Sequence, residues 1–264
     1  MKERSTEDGR QRADFENRTA VETSGPSIDP LKAQYRDAIA KAHRAVRAVE
    51  QSSAALLCID MQYLDAAPGY GVFADPSDHG IPEDSLEYYF DRLKYTVIPN
   101  IRRLQLAFRS ASLEVIHTRI QSLTMDGRDR GPGHKRLGLH APPGSKEAEF
   151  IEGIGPVGDE VVINKTASGV FNATNIDYVL RNLGIRGLYV CGVYSNECVS
   201  TAIRDACDRG FEVTLVHDAC ATVTPELQRA TVTTMKDRYA RILTTTEVAE
   251  EIAASVELGA EDST

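Results

Sequence analysis

Residues 187–222, GLYVCGVYSNECVSTAIRDACDRGFEVTLVHDACAT, hold one full unit of the repeating pattern on which the fold rests. Gly187–Val193 is apolar almost throughout, as a strand covered on both faces must be. Ser195 and Asn196 suit a helix N-cap, so Cys198 is expected in the first turn of a helix that runs to about residue 209. Gly210 ends that helix and a second apolar run, Phe211–His217, follows. A strand, a helix and a strand in this order form a parallel crossover unit, since antiparallel neighbours need only a tight turn.

The same alternation extends in both directions. Apolar runs recur at Ala54–Asp60, Leu113–Thr118, Glu160–Asn164 and Ala240–Thr244. Helical periodicity marks residues near 86–110, 175–183 and 225–238, with a last helix after Thr246 and a long loop over 119–159. The expected fold is therefore α/β: a doubly wound, mainly parallel six-stranded sheet with helices on both faces, a Rossmann-like three-layer sandwich over residues 52–255. Residues 1–28 are polar and are expected to be disordered. Residues 29–51 open with Asp29-Pro30 and carry Leu31, Tyr35, Ala38, Ile39, Ala42 and Val46 at helical spacing, which predicts an extra N-terminal helix.

A net charge of -9 argues against a nucleic-acid partner, which needs a basic footprint. No apolar run reaches the roughly 20 residues of a membrane helix, and the N-terminus has no apolar signal region. Four of the five cysteines (Cys58, Cys191, Cys198, Cys207 and Cys220) sit in apolar or helical patterns. That usage suits reduced thiols and a cytoplasmic location better than a disulfide frame.

Ligands of doubly wound sheets bind at the carboxyl ends of the strands, so strand-terminal reactive groups carry the functional reading. Three such groups stand out. Asp60 ends the first strand, Lys165 ends the third, and Cys198 follows the fourth. Alone, each has a bland explanation: a turn carboxylate, a solvated lysine, a small buried hydrophobe. Together they match what a cysteine nucleophile requires, namely a base for the thiol proton and a cation to keep that base ionised. Amides at the helix start favour a thiolate and can stabilise an oxyanion. The remaining cysteines read as core.

Four segments, LLCIDMQ (56–62), VIHTR (115–119), INKTASGVFNATNID (163–177) and residues 190–222, together resemble the isochorismatase-like cysteine hydrolases. That family includes nicotinamidases, N-carbamoylsarcosine and ureidoacrylate amidohydrolases, and biuret and triuret hydrolases. The resemblance implies Asp60 as general base, Lys165 as catalytic lysine and Cys198 as nucleophile. It also implies a cis peptide before Tyr194, with the amides of Tyr194 and Cys198 forming the oxyanion hole. Nicotinamidases carry an Asp/His metal cluster after the second strand. Here that region reads HTRIQSLTMDGRDR, with His117 inside the strand, so no metal and no cofactor are expected. Isochorismate-cleaving members lack the cysteine, so its presence favours C–N cleavage.

The expected function is hydrolysis of a small amide or ureide through a thioester. Vinyl-ether hydrolysis and a non-catalytic binding role on the same fold are the alternatives. Expected substrate contacts are Gln62, Arg119, Phe171, Asn172 and Tyr194, with the basic stretch 128–136 read as a lid, a subunit contact or a solvated loop. A homodimer or homotetramer is expected from the fold and from the family.

Overall fold

The apolar runs pair into one sheet in the order β3-β2-β1-β4-β5-β6, every neighbour parallel. The strands are β1 (Ala54–Ile59), β2 (Glu114–Ile120), β3 (Val162–Lys165), β4 (Gly187–Val193), β5 (Glu212–Ala221) and β6 (Arg241–Leu243). The structure, a computed structural model, describes residues 53–261. The expected tail 1–28 and helix 29–51 lie outside the described residues. β1 and β4 are buried along their whole length, which is why their sequences show no alternation.

Between the strands lie α1 (Tyr63–Ala66), α2 (Glu83–Arg92), α3 (Ile98–Ser110), α4 (Pro132–Arg136), α5 (Val170–Ala173), α6 (Ile176–Asn182), α7 (Ser200–Asp208) and α8 (Pro225–Met235), and α9 (Thr245–Glu261) follows the last strand. A π-turn at Leu93–Val97 joins α2 to α3, just before Pro99, whose ring nitrogen cannot donate to the preceding turn. Helix α3 packs with α9, while α7 packs with α5 and α8, so the two faces of the sheet are covered by separate helix groups. No helix among the described residues is long and apolar enough to cross a membrane.

The strand order reverses between β1 and β4, and Ile59 is level with Thr118 on one side and Gly192 on the other. Gly192 has φ +115°, and a Cβ there would lie 2.0 Å from the Ile59 carbonyl oxygen. Only glycine allows β4 to approach β1 this closely. On its other edge, β4 pairs with a bulged β5: Val190 faces Leu215 but Gly192 already faces Cys220. Carbonyls exposed around the bulge are taken by side chains. Arg92 donates to His217 O and Cys220 O, Asn100 to Asp218 O, and Gln228 to His217 O. Buried backbone acceptors need such partners, and here they also clamp the strand beside the cysteine turn.

The 119–159 segment is mostly loop, as expected, and folds back onto the strand ends. Ile151 N–H donates to Met61 O, Tyr63 N–H to Glu149 O, and Gly131 N–H to Thr166 O.

Candidate active site

Asp60 takes φ +54° immediately after β1. Continued strand geometry would aim its side chain to the face opposite Ile59. The left-handed residue instead turns the carboxylate toward β2 and β3, a conformation that aspartate tolerates better than most residues. There Thr118 Oγ1 donates to Oδ1 at 2.9 Å and Lys165 Nζ lies 2.7 Å from Oδ2. Asp60 is 1% exposed and Lys165 0%, so this is a fully buried ion pair.

Lys165 reaches from β3 across β2. Its ammonium also contacts Ala167 O at 3.1 Å and Cys198 Sγ at 3.3 Å. All three ammonium donors are thus engaged. Burial alone lowers the pKa of Lys165, but the Asp60 carboxylate outweighs it and holds the lysine above its ordinary value.

Cys198 sits in a π-turn, Ser195–Val199, that leads into α7. The expected side-chain cap from Ser195 or Asn196 is not what holds this turn. Tyr194 occupies the cap position in extended conformation, after a cis Val193–Tyr194 peptide, with no side-chain cap bond. Ser195 donates to Gln228 Oε1 at 2.7 Å, and Thr222 bonds to Asn196 Oδ1, so both polar side chains fasten the turn to the β5 side of the sheet. The thiolate expectation also needs correction. Burial pushes the Cys198 thiol well up, Lys165 pulls it only partly down, and Asp60 and Asp65 push it further up. Desolvation outweighs the neighbouring cation, so the resting group is a thiol beside an ion pair.

Sequence proximity proves a weaker guide for the substrate contacts. Gln62 is wholly buried and engaged at both ends. Its Nε2 donates to Ile120 O at 2.9 Å and to Glu147 O at 2.8 Å, and its Oε1 accepts from Ile120 N–H at 2.5 Å. It fixes the loop after β1 rather than reaching for a ligand. Arg119 lies one residue beyond Thr118, on the opposite face of β2. There its Nε donates to Asn164 Oδ1 and its Nη1 to Ala148 O. Phe171 packs on Phe211, which precedes β5, with the Arg209 guanidinium over its ring. Asn172 donates to Asp205, about two turns down α7 from Cys198. Both therefore point toward the amino end of the sheet, away from the thiol. Tyr194 alone of the five stays beside it, its hydroxyl donating to Asp65 O at 3.2 Å.

Two buried groups near Asp60, Lys165 and Cys198 went unrecognised in the sequence. Asp65 belongs to no motif and is 2% exposed. His134, inside the stretch read as a basic loop, is 4% exposed. Burial and the Lys165 ammonium push its imidazole down to about 4, so it is neutral at ordinary pH. His117 is packed: Nε2 lies 3.0 Å from Glu160, whose carboxylate Arg109 already neutralises. Such a donor set does not suit a divalent metal, and among the described residues no cluster of three His, Cys, Asp or Glu side chains forms one.

Known proteins share this arrangement of elements. A cysteine hydrolase from Pseudomonas syringae pv. phaseolicola superposes with a TM-score of 0.64 at 25% identity, covering 81% of this chain and 99% of that one. An N-carbamoylsarcosine amidase from an Arthrobacter species is 25% identical over 167 residues, which are 60% of this chain and 62% of that protein. A ureidoacrylate amidohydrolase from Agrobacterium fabrum is 30% identical over 159 residues, 51% of this chain and 67% of that protein. The chain thus spans about two thirds, or less, of the length of these curated relatives. The isochorismatase domain pattern matches residues 54–247, from the first strand into the last helix, and the chain therefore belongs to the isochorismatase family.

Proposed function

We propose that this chain hydrolyses a C–N bond of a small amide or ureide through a thioester on Cys198. The observation that carries this reading is the position of Lys165 Nζ, 2.7 Å from the Asp60 carboxylate and 3.3 Å from the Cys198 sulfur. A buried ammonium at that point gives the carboxylate a cationic partner beside the thiol, which is the arrangement a base–nucleophile pair needs before reaction.

In the first step Asp60 accepts the thiol proton as Sγ bonds to the carbonyl carbon. Negative charge then grows on the carbonyl oxygen, toward the amides of Tyr194 and Cys198, where the loss of one donor costs about 3–4 kcal/mol. Asp60 returns the proton to the leaving nitrogen, the C–N bond breaks, and ammonia or an amine departs. Water then attacks the thioester with Asp60 again as base, releasing the acid and restoring the thiol. The names of the two curated relatives, an amidase and an amidohydrolase, agree with C–N cleavage.

The test is an ammonia-release screen over small amides and ureides, with intact-mass detection of an acyl adduct on Cys198. Turnover should be abolished in Cys198→Ala. Full turnover in that variant on a confirmed substrate would overturn the mechanism.

A further inference from the structure

Asp65 is a buried acid that the mechanism above does not use. It lies on α1, and two hydroxyls fix its backbone carbonyl: Tyr89 at 2.7 Å and Tyr194 at 3.2 Å. Tyr194 opens the cysteine turn, so Asp65 is held against the element that carries the nucleophile. The two tyrosine rings lie 5.4 Å apart between centroids and wall this side of the site. The side chain is 2% exposed, and its Oδ2 is buried without a hydrogen-bond partner. An apolar residue would avoid that desolvation penalty, so the carboxyl group needs a reason to be there.

We propose that Asp65 recognises the substrate in this site, its carboxyl group pairing with the N–H and C=O edge of a ureide beside the bond that Cys198 attacks. The proposal rests on the amide-hydrolase reading and narrows it to ureides over amides that lack a second polar edge. The groups facing Asp65 are Asp60 from β1, Lys165 from β3, Tyr194, Glu197 and Cys198 from the turn after β4, and Tyr89 from α2. Burial first, then Asp60, raises its pKa well above the carboxylate range, and Lys165 offsets this only in part. The lysine's donors are already engaged by Asp60, Cys198 and Ala167. A neutral carboxylic acid offers one O–H donor and one C=O acceptor side by side, which complements the edge of a ureido group in two parallel bonds. An ionised carboxylate would lose the donor.

The test compares KM for biuret and N-carbamoylglycine with KM for butyramide, in the full chain and in Asp65→Leu and Asp65→Asn. Leucine should raise the ureide KM roughly ten- to a hundredfold, the effect of losing such a hydrogen-bonded pair, and butyramide KM much less. Asparagine, which keeps one donor and one acceptor on the same edge, should recover most of that loss. In the wild type the ureide KM should also rise at alkaline pH as Asp65 ionises, and this limb should vanish in Asp65→Asn. An equal loss on ureides and butyramide, or no change in the leucine variant, overturns the proposal. Cleavage of butyramide with neither ureide turned over also overturns it, while leaving the cysteine chemistry intact. Absence of a Cys198 acyl adduct with every probe would instead defeat the underlying amide-hydrolase reading.

Discussion

Two segments beside the site have opposite fates. Residues 60–65 follow β1 and place Asp60, Gln62 and Asp65, all buried, close under the strand ends. Residues 165–172 follow β3 and begin in the same place with Lys165, yet by Phe171 and Asn172 the chain has left along the outside of α7. The first segment is doubly anchored, by Gln62 to the end of β2 and by Ile151 to Met61. The second touches the site only at its first residues and then packs as a helix. Distance along the chain from a reactive residue therefore says little about which later residues face the substrate. What decides it is whether the segment's own hydrogen bonds hold it at the strand ends.

Lys165→Ala gives the largest expected effect, because it leaves a buried Asp60 carboxylate without its partner. Unfolding free energy in urea should fall by about 3–5 kcal/mol and turnover should be lost. Adding Asp60→Asn should recover part of the stability but none of the activity; strict additivity would mean that the two groups are not coupled.

The Cys198 thiol supplies a pH test. Because its pKa lies above the ordinary thiol value, the thiolate fraction keeps growing as pH rises past the usual range. Alkylation of Cys198 by iodoacetamide in the free protein should still be accelerating there. A plateau near neutral pH would mean that the helix start, not burial, governs the thiol.

Gln62→Ala probes the anchored segment. It orphans two carbonyls and an N–H and should cost roughly 1–3 kcal/mol of stability. Its effect on KM should be small beside that; a KM increase of about tenfold or more with stability unchanged would restore it as a substrate ligand. The outer segment should respond least. Phe171→Leu should cost less than about 1.5 kcal/mol and Asn172→Ala within about 0.5 kcal/mol, both with turnover near wild type. A large rise in KM in either would erase the contrast between the two segments.

Much was legible before any coordinates. Apolar runs and helical periods placed all six strands and the main helices to within a few residues, because both signals are local and the apolar runs, too short for buried helices, alternate with amphipathic helical stretches. The rule that chemistry sits where parallel strands end singled out Asp60, Lys165 and Cys198, and the structure brings Lys165 into contact with both of the others. Gln62, Arg119, Phe171 and Asn172 all find protein partners that the sequence did not announce, because a residue's neighbourhood in sequence does not state which way its side chain points once the chain leaves a strand.

The sequence alone determined the order of strands and helices along the chain and the three reactive groups at strand ends, since spacing and residue type are properties of the chain itself. Tertiary structure decided which strands are neighbours, the left-handed turn that swings Asp60 toward Lys165, the engagement of Gln62 and the burial of Asp65. It also decided the burial that pushes the Cys198 thiol up. Each of these depends on which groups far apart in the chain are brought together and kept from water, and a pKa or a free hydrogen-bonding edge exists only in that environment.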